Sequence, residues 1–174
     1  PSCLLCEKKT CTIAHILGAC PVSLEQGRFT YRHDLVLSHL VSKLHVFVKD
    51  TIPIKSKKAF GIRFIKAGQR PPIESANTLG ILHLASDWIL LADIDSNYVF
   101  PIQIAQTQLR PDIVLFSKSL KRVILIELTC PCEENMSSWH MTKINKYATL
   151  CKAIENNNWH VDLFCIEVGA RGYL

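Results

Sequence analysis

RPDIVLFSKSLKRVILIELT, residues 110–129, is two apolar runs joined by the short polar link SKSLK. Short runs rich in Val, Ile, Leu and Phe, bounded by polar residues, read as two strands of a hairpin. A turn centred near Ser119 and Leu120 sets Asp112 opposite Glu127. Side chains alternate along a strand, so Leu125 and Thr129 share the face of Glu127, and Val114 that of Asp112. Residues paired in this way have Cβ atoms about 4.5–5.5 Å apart. Carboxylates that close repel unless one is protonated or a divalent cation bridges them, and each is costly to desolvate unless something compensates its charge. Removing one of the pair is therefore expected to leave the metal-free fold intact.

Oxygen ligands of this kind suit Mg²⁺ or Mn²⁺, which retain several waters and can hold a phosphate. A cation supplied by the protein would complete such a site. Lys143 and Lys146 are the candidates, one turn apart on a helix expected near Ser137–Glu155, and a strand is expected to follow at His160–Glu167. Taken singly, each of these residues has a plainer reading: Asp after Pro initiates turns, and helix lysines usually face water.

Upstream, DWILLADID and YVFPIQIAQ read as two strands separated by a polar turn, Asp93–Asn97. Residues 50–80 carry Pro53, Gly61, Gly68, Pro71 and Pro72 and read as irregular, around one short strand at Phe60–Ile65. RFTYRHDLVLSHLVSKLHVFV places Phe29, Leu35, Val36, Leu40, Leu44 and Phe47 close to a helical period. His33, Asp34 and His39 lie on that helix, where a lone His usually sits at the surface. The order of elements predicts an α/β fold, a mixed sheet flanked by helices.

The first twenty residues hold four of the eight cysteines. Cys3, Cys6, His15 and Cys20 have spacings that can close a tetrahedral zinc site, with Cys11 as a spare thiol able to replace one ligand. So short a segment buries little, so the metal would supply its folding energy. The alternative is a disulfide or unrelated thiols. The division expected is a zinc knuckle at residues 1–24 and a second domain at 25–174.

The net charge is +5, and Lys55, Lys57, Lys58, Arg63, Lys66 and Arg70 fall between Thr51 and Arg70 with no acidic residue. That field suits a phosphate backbone, though a solvated loop would look the same. A hydrophobic content of 48% argues for a folded domain. Without a long apolar run or a signal-peptide pattern, a soluble protein with no membrane partner is expected. The chain starts with Pro, which suggests a piece of something longer.

Arg110-Pro111-Asp112, Glu127, ELTCPCEEN and KINKYATL together resemble the PD-(D/E)xK restriction-endonuclease-like domain at the C-terminal end of site-specific non-LTR retrotransposon polyproteins. In that family a CCHC knuckle precedes the nuclease, as Cys3, Cys6, His15 and Cys20 do here, and a GR-aromatic-x-x-RHD segment follows it, as GRFTYRHDLVL does. The resemblance covers nearly the whole chain and is weakest over residues 50–90.

It implies a nuclear enzyme that nicks DNA with Mg²⁺ or Mn²⁺ beside a structural Zn²⁺, leaving a 3′ hydroxyl for a reverse transcriptase in the same polyprotein. DNA and element RNA are the partners implied. Asp112 and Glu127 would hold the metal, supported by Asp34 on the first helix. The general motif wants Lys where Thr129 stands, and this branch carries its Lys on the following helix, so Lys143 and Lys146 inherit the role. Glu133 and Tyr147 match the pattern too. Arg28, Arg32, Arg110 and the basic segment would grip nucleic acid. Two rivals are a nucleic-acid-binding module that has lost catalysis, and a metal-free interaction domain.

Overall fold

The computed structural model describes residues 1–7, 10–50, 80–94 and 98–173. The expected strand at Phe60–Ile65, and Lys55, Lys57, Lys58, Arg63 and Lys66, lie outside them.

A short helix α1 (Pro21–Glu25) leads into the long helix α2 (Arg28–Asp50), with Gly27 between them at φ 68°. That left-handed angle suits glycine, which carries no Cβ. Strands β1 (Trp88–Ala92), β2 (Ile113–Ser117) and β3 (Arg122–Thr129) follow, then α3 (Met136–Asn156) and β4 (His160–Glu167). The sheet is mixed and four-stranded, ordered β1-β2-β3-β4, antiparallel except for the β3–β4 pair. A parallel pair needs a long crossover, which α3 provides.

The hairpin register is the one its sequence demands, with Ile113 opposite Ile126 and Ser117 opposite Arg122. Asp87 anchors the turn by accepting from Ser117 Oγ at 2.6 Å, Ser119 Oγ at 2.7 Å and the Ser119 amide at 2.9 Å. β2 and the interior of β3 are buried on both faces, which is why they read as unbroken apolar runs. Val114, Phe116, Val123 and Leu125 pack on Tyr147, Leu150 and Ile154 of α3. Ile113, Leu115, Ile124, Ile126 and Leu128 pack on the opposite side with Leu37 of α2.

Two expectations are corrected. The face that α2 buries is centred on Leu37, with Val36, Leu40, Val41, Leu44 and Val48, while Leu35 and Phe47 point outward. YVFPIQIAQ forms no strand. Pro101 offers no N–H to a ladder, and its carbonyl instead accepts from the Ile104 amide at 2.9 Å, turning the chain so that Phe100, Ile104 and Ala105 reach the core on the α3 side.

Candidate functional site

At the amino-terminal end, Cys3, Cys6, His15 and Cys20 are all buried, and their donor atoms lie within 4.8 Å of one another. His15 Nε2 is 3.3 Å from Cys6 Sγ. Three sulfurs and one imidazole nitrogen are the donor set of a closed structural zinc site, in which sulfurs stand about 3.7 Å apart. The backbone amide of Ser23 lowers the pKa of the Cys20 thiol, favouring the thiolate that binds metal. The group can therefore hold a metal ion such as zinc. All eight cysteines are free thiols, and Cys11 stands outside the cluster.

This segment is tied to the sheet rather than suspended beside it. The Arg32 guanidinium donates twice to the Leu17 carbonyl at 3.0 Å and once to the Cys130 carbonyl at 2.7 Å. Leu17 lies between two of the metal-site residues and Cys130 directly follows β3. The two terminal nitrogens of Arg32, expected to face phosphates, are thus committed to protein carbonyls, while its Nε is buried and lacks a hydrogen-bond partner among the described residues. Gly18 closes the seam, since a Cβ there would stand 3.4 Å from that of Cys132. Arg28 is exposed and bonds Gln26 Oε1 at 2.8 Å.

The second site lies where the strands end. Ala92 pairs with Ile113 and Ile113 with Ile126, so one step further the register aligns Asp93, Asp112 and Glu127 across β1, β2 and β3. The Asp93 amide donates to the Asp112 carbonyl at 2.8 Å, extending the ladder to that row. Directly behind it lie Leu91, Val114 and Leu125, which pack on α3.

Glu127 is only 2% exposed. Its Oε1 accepts from Lys143 Nζ at 2.6 Å and Lys146 Nζ at 3.3 Å, and its Oε2 from Tyr147 Oη at 2.6 Å and the Asp112 amide at 3.3 Å. Positions 143, 146 and 147 share one face of α3, so a single helix delivers two cations and a hydroxyl to one carboxylate. The Lys143 side chain is 17% exposed and that of Lys146 is 41% exposed. Burial, and then the bond to Glu127, push the Tyr147 pKa up, so it stays a donor. Electrostatic relief of the acidic pair thus comes from lysines. This geometry argues against the expectation that deleting Glu127 leaves the metal-free fold intact, because deletion would strand those lysines.

Asp112 Oδ2 accepts from the Leu128 amide at 2.6 Å and lies 3.4 Å from His33 Nε2, while His33 Nδ1 is 3.0 Å from Asp34 Oδ1. The bond to Asp112 raises the His33 pKa to about 9, with Asp34 adding to it against the opposing effect of burial. Asp34 is 58% exposed, and the imidazole stands between it and Asp112. Arg110 Nε is 3.7 Å from Asp93 Oδ2. Thr129 Oγ1 is buried and lacks a hydrogen-bond partner among the described residues. A cavity of about 210 Å³ beside it is lined by Phe29, Arg32, His33, Thr129 and Trp139 among others.

Sequence reasoning brought together Asp112, Glu127, Lys143 and Lys146 but missed Asp93 and His33. Extending the strand pairing from β2 to the upstream strand would have found Asp93, which the polar turn had claimed. Cys132, Glu133 and Glu134 also converge, but Arg171 holds both glutamates at 2.8 and 3.3 Å, so that group already has its cation.

No protein-family model, curated protein or solved structure matches this chain.

Proposed function

We propose that this chain is a divalent-metal-dependent DNA endonuclease of the restriction-endonuclease-like fold, the nicking domain of a non-LTR retrotransposon polyprotein acting in the nucleus with a reverse transcriptase elsewhere in the same protein. The observation that carries the reading is the meeting of Asp112 and Glu127 at the sheet end with Lys143, Lys146 and Tyr147 arriving from one helix. A carboxylate as buried as Glu127, joined to two ammonium groups, is expensive to assemble for stability alone. The raised pKa values of His33 and Tyr147 at the same sheet end are of the kind that gathers at functional sites.

Asp112 and Glu127 fit Mg²⁺ or Mn²⁺, hard ions that take carboxylate oxygens. Such an ion, when bound, neutralises charge on a phosphodiester and makes water more acidic. The protein's own groups then have separate tasks. His33 and the Leu128 amide orient Asp112. Lys143, the closer and less exposed lysine, keeps Glu127 compensated, and Lys146, longer-bonded and more exposed, is free to turn toward a phosphate oxygen. Tyr147 fixes the second Glu127 oxygen. Trp139, 44% exposed beside the cavity near His33, offers a ring on which a base can stack. Zinc at the Cys3 cluster would act structurally, with Arg32 fastening that segment near the acidic row.

The test is incubation of the zinc-loaded chain with supercoiled plasmid and Mg²⁺ or Mn²⁺ beside the Asp112→Ala variant. Nicking by the wild type and none by the variant is expected. A second reading, a nucleic-acid-binding module of the same fold with weakened or no catalysis, is favoured by two observations: both lysines turn back on Glu127, and Thr129 stands where the general motif has Lys. Equal DNA binding by both proteins with nicking by neither would select it.

A further inference from the structure

We propose that the cavity between α2, the end of β3 and the start of α3 receives one unstacked base of a nucleic-acid strand. The proposal deepens the nuclease reading and rests on it, since it says how the substrate strand is held beside Asp112. Its own basis is the make-up of the cavity wall.

Phe29, Arg32 and His33 stand three and four residues apart and so share one face of α2. With Thr129 at the end of β3 and Trp139 in the first turn of α3, they line a cavity of about 210 Å³. That is below the roughly 300–1,000 Å³ of pockets for drug-sized ligands, so the cavity admits one small ring system rather than a length of chain.

Two kinds of surface meet there. Trp139 is 44% exposed and Phe29 is half-buried, with the Arg32 guanidinium 5.5 Å from the centre of the Phe29 ring. Bases stack on aromatic rings whatever their identity. Two of the lining residues also leave a buried polar atom without a hydrogen-bond partner among the described residues, Arg32 its Nε and Thr129 its Oγ1. Such atoms are rare in native proteins; the first is an N–H donor and the second both donates and accepts. A base answers both surfaces, with a flat face for the rings and an edge of donors and acceptors for the polar atoms. A phosphate would use the Arg32 donor and leave the rings idle, and an aliphatic side chain would leave both polar atoms unserved.

The place of the cavity agrees with this occupant. His33 lines it, and His33 Nε2 lies 3.4 Å from Asp112 Oδ2, so one imidazole separates the cavity from the acidic row. A strand crossing that row therefore passes the cavity. Unstacking costs least in a strand that is already single, which makes single-stranded DNA the sensitive probe.

The test measures binding of the zinc-loaded full chain, without Mg²⁺ or Mn²⁺, to a short labelled single strand of mixed sequence and to the same sugar-phosphate strand lacking every base. Fluorescence anisotropy gives the affinities. Wild type should prefer the base-bearing strand, and its tryptophan emission should be quenched by that strand alone. Trp139→Ala should weaken binding of the base-bearing strand by about five- to 150-fold, the range for one base–aromatic stack, and leave the abasic strand unaffected. Thr129→Val should weaken the base-bearing strand by about two- to tenfold, as for one hydrogen bond, while its melting temperature without DNA stays level or rises because an unpartnered hydroxyl is gone. Equal wild-type affinity for the two strands overturns the proposal, since phosphate contacts alone would then account for binding. An unchanged Thr129→Val beside a weakened Trp139→Ala also overturns it, because the base would then stack outside the cavity. No cleavage enters these measurements. Plasmid nicking lost in Asp112→Ala, with no preference for bases, removes the base pocket and leaves the nuclease reading standing; a base preference in a wild type that nicks nothing does the reverse.

Discussion

Replacing Glu127 by Ala should destabilise the protein in the absence of magnesium. Glu127 is 2% exposed and accepts from Lys143, Lys146, Tyr147 and the Asp112 amide. Without it, the Lys143 ammonium, 17% exposed, has lost its counter-ion, and the fully buried Tyr147 keeps only the Arg110 carbonyl at 3.2 Å. Lys146, at 41% exposure, can relax into water and adds little. Deleting one partner of a buried ion pair costs about 3–5 kcal/mol. For a chain of this length that lowers the melting temperature by about 6–20 °C. The assay is thermal unfolding followed by circular dichroism in zinc-containing buffer without magnesium. Glu127→Gln, which keeps an acceptor for Tyr147 but no charge, should fall between wild type and Ala. The double variant Glu127→Met, Lys143→Met should recover most of the loss, because a well-packed apolar pair often matches a buried ion pair. A melting temperature for Glu127→Ala within about 2 °C of wild type would refute the reasoning, since it would mean that repulsion between the carboxylates outweighs the lysines.

Metal analysis should find about one zinc per chain, lowered by His15→Ala, whereas folded wild type with almost none would rule out the four-ligand site. Arg32→Ala removes the bonds to the Leu17 and Cys130 carbonyls and should cost about 2–3 kcal/mol in urea unfolding, with faster zinc release to a chromogenic chelator; unchanged values would mean that these bonds do not hold the segment to the sheet. The three hydrogen bonds from Ser117 and Ser119 depress the Asp87 pKa from 3.8 to about 2. A depressed carboxylate pKa means stabilisation that is complete above 3.8 and disappears as the pH falls through about 2. The stability difference between wild type and Asp87→Asn, about 1 kcal/mol near neutrality, should therefore vanish toward pH 2, and a difference that persists there would show that the anchor does not depend on charge.

The hairpin that opens the sequence was legible to the residue. Ile113 pairs with Ile126 as the spacing demands, because a register slip of one residue would turn every side chain to the wrong face. The long helices, β4 at His160–Glu167 and the Cys3–Cys6–His15–Cys20 group were equally legible, since each is a pattern of near neighbours along the chain. The buried face of α2 was misjudged by part of a turn, because Leu37 and Leu35 differ in nothing but what lies opposite them. YVFPIQIAQ has the composition of a strand, but Pro101 withholds the ladder donor.

What the sequence by itself determined is therefore the long helices, the hairpin with its register, β4 and the Cys3–Cys6–His15–Cys20 group able to hold a metal, all governed by interactions between residues close along the chain. Only the tertiary structure decided that Asp93 completes the acidic row, that Arg32 bonds carbonyls rather than solvent, and that Lys143 and Lys146 both reach Glu127. Those outcomes depend on which strand lies beside β2 and how closely α2 and α3 approach the sheet end. Packing of the whole chain sets them, because no local pattern encodes the distance between side chains separated by 16 to 98 positions.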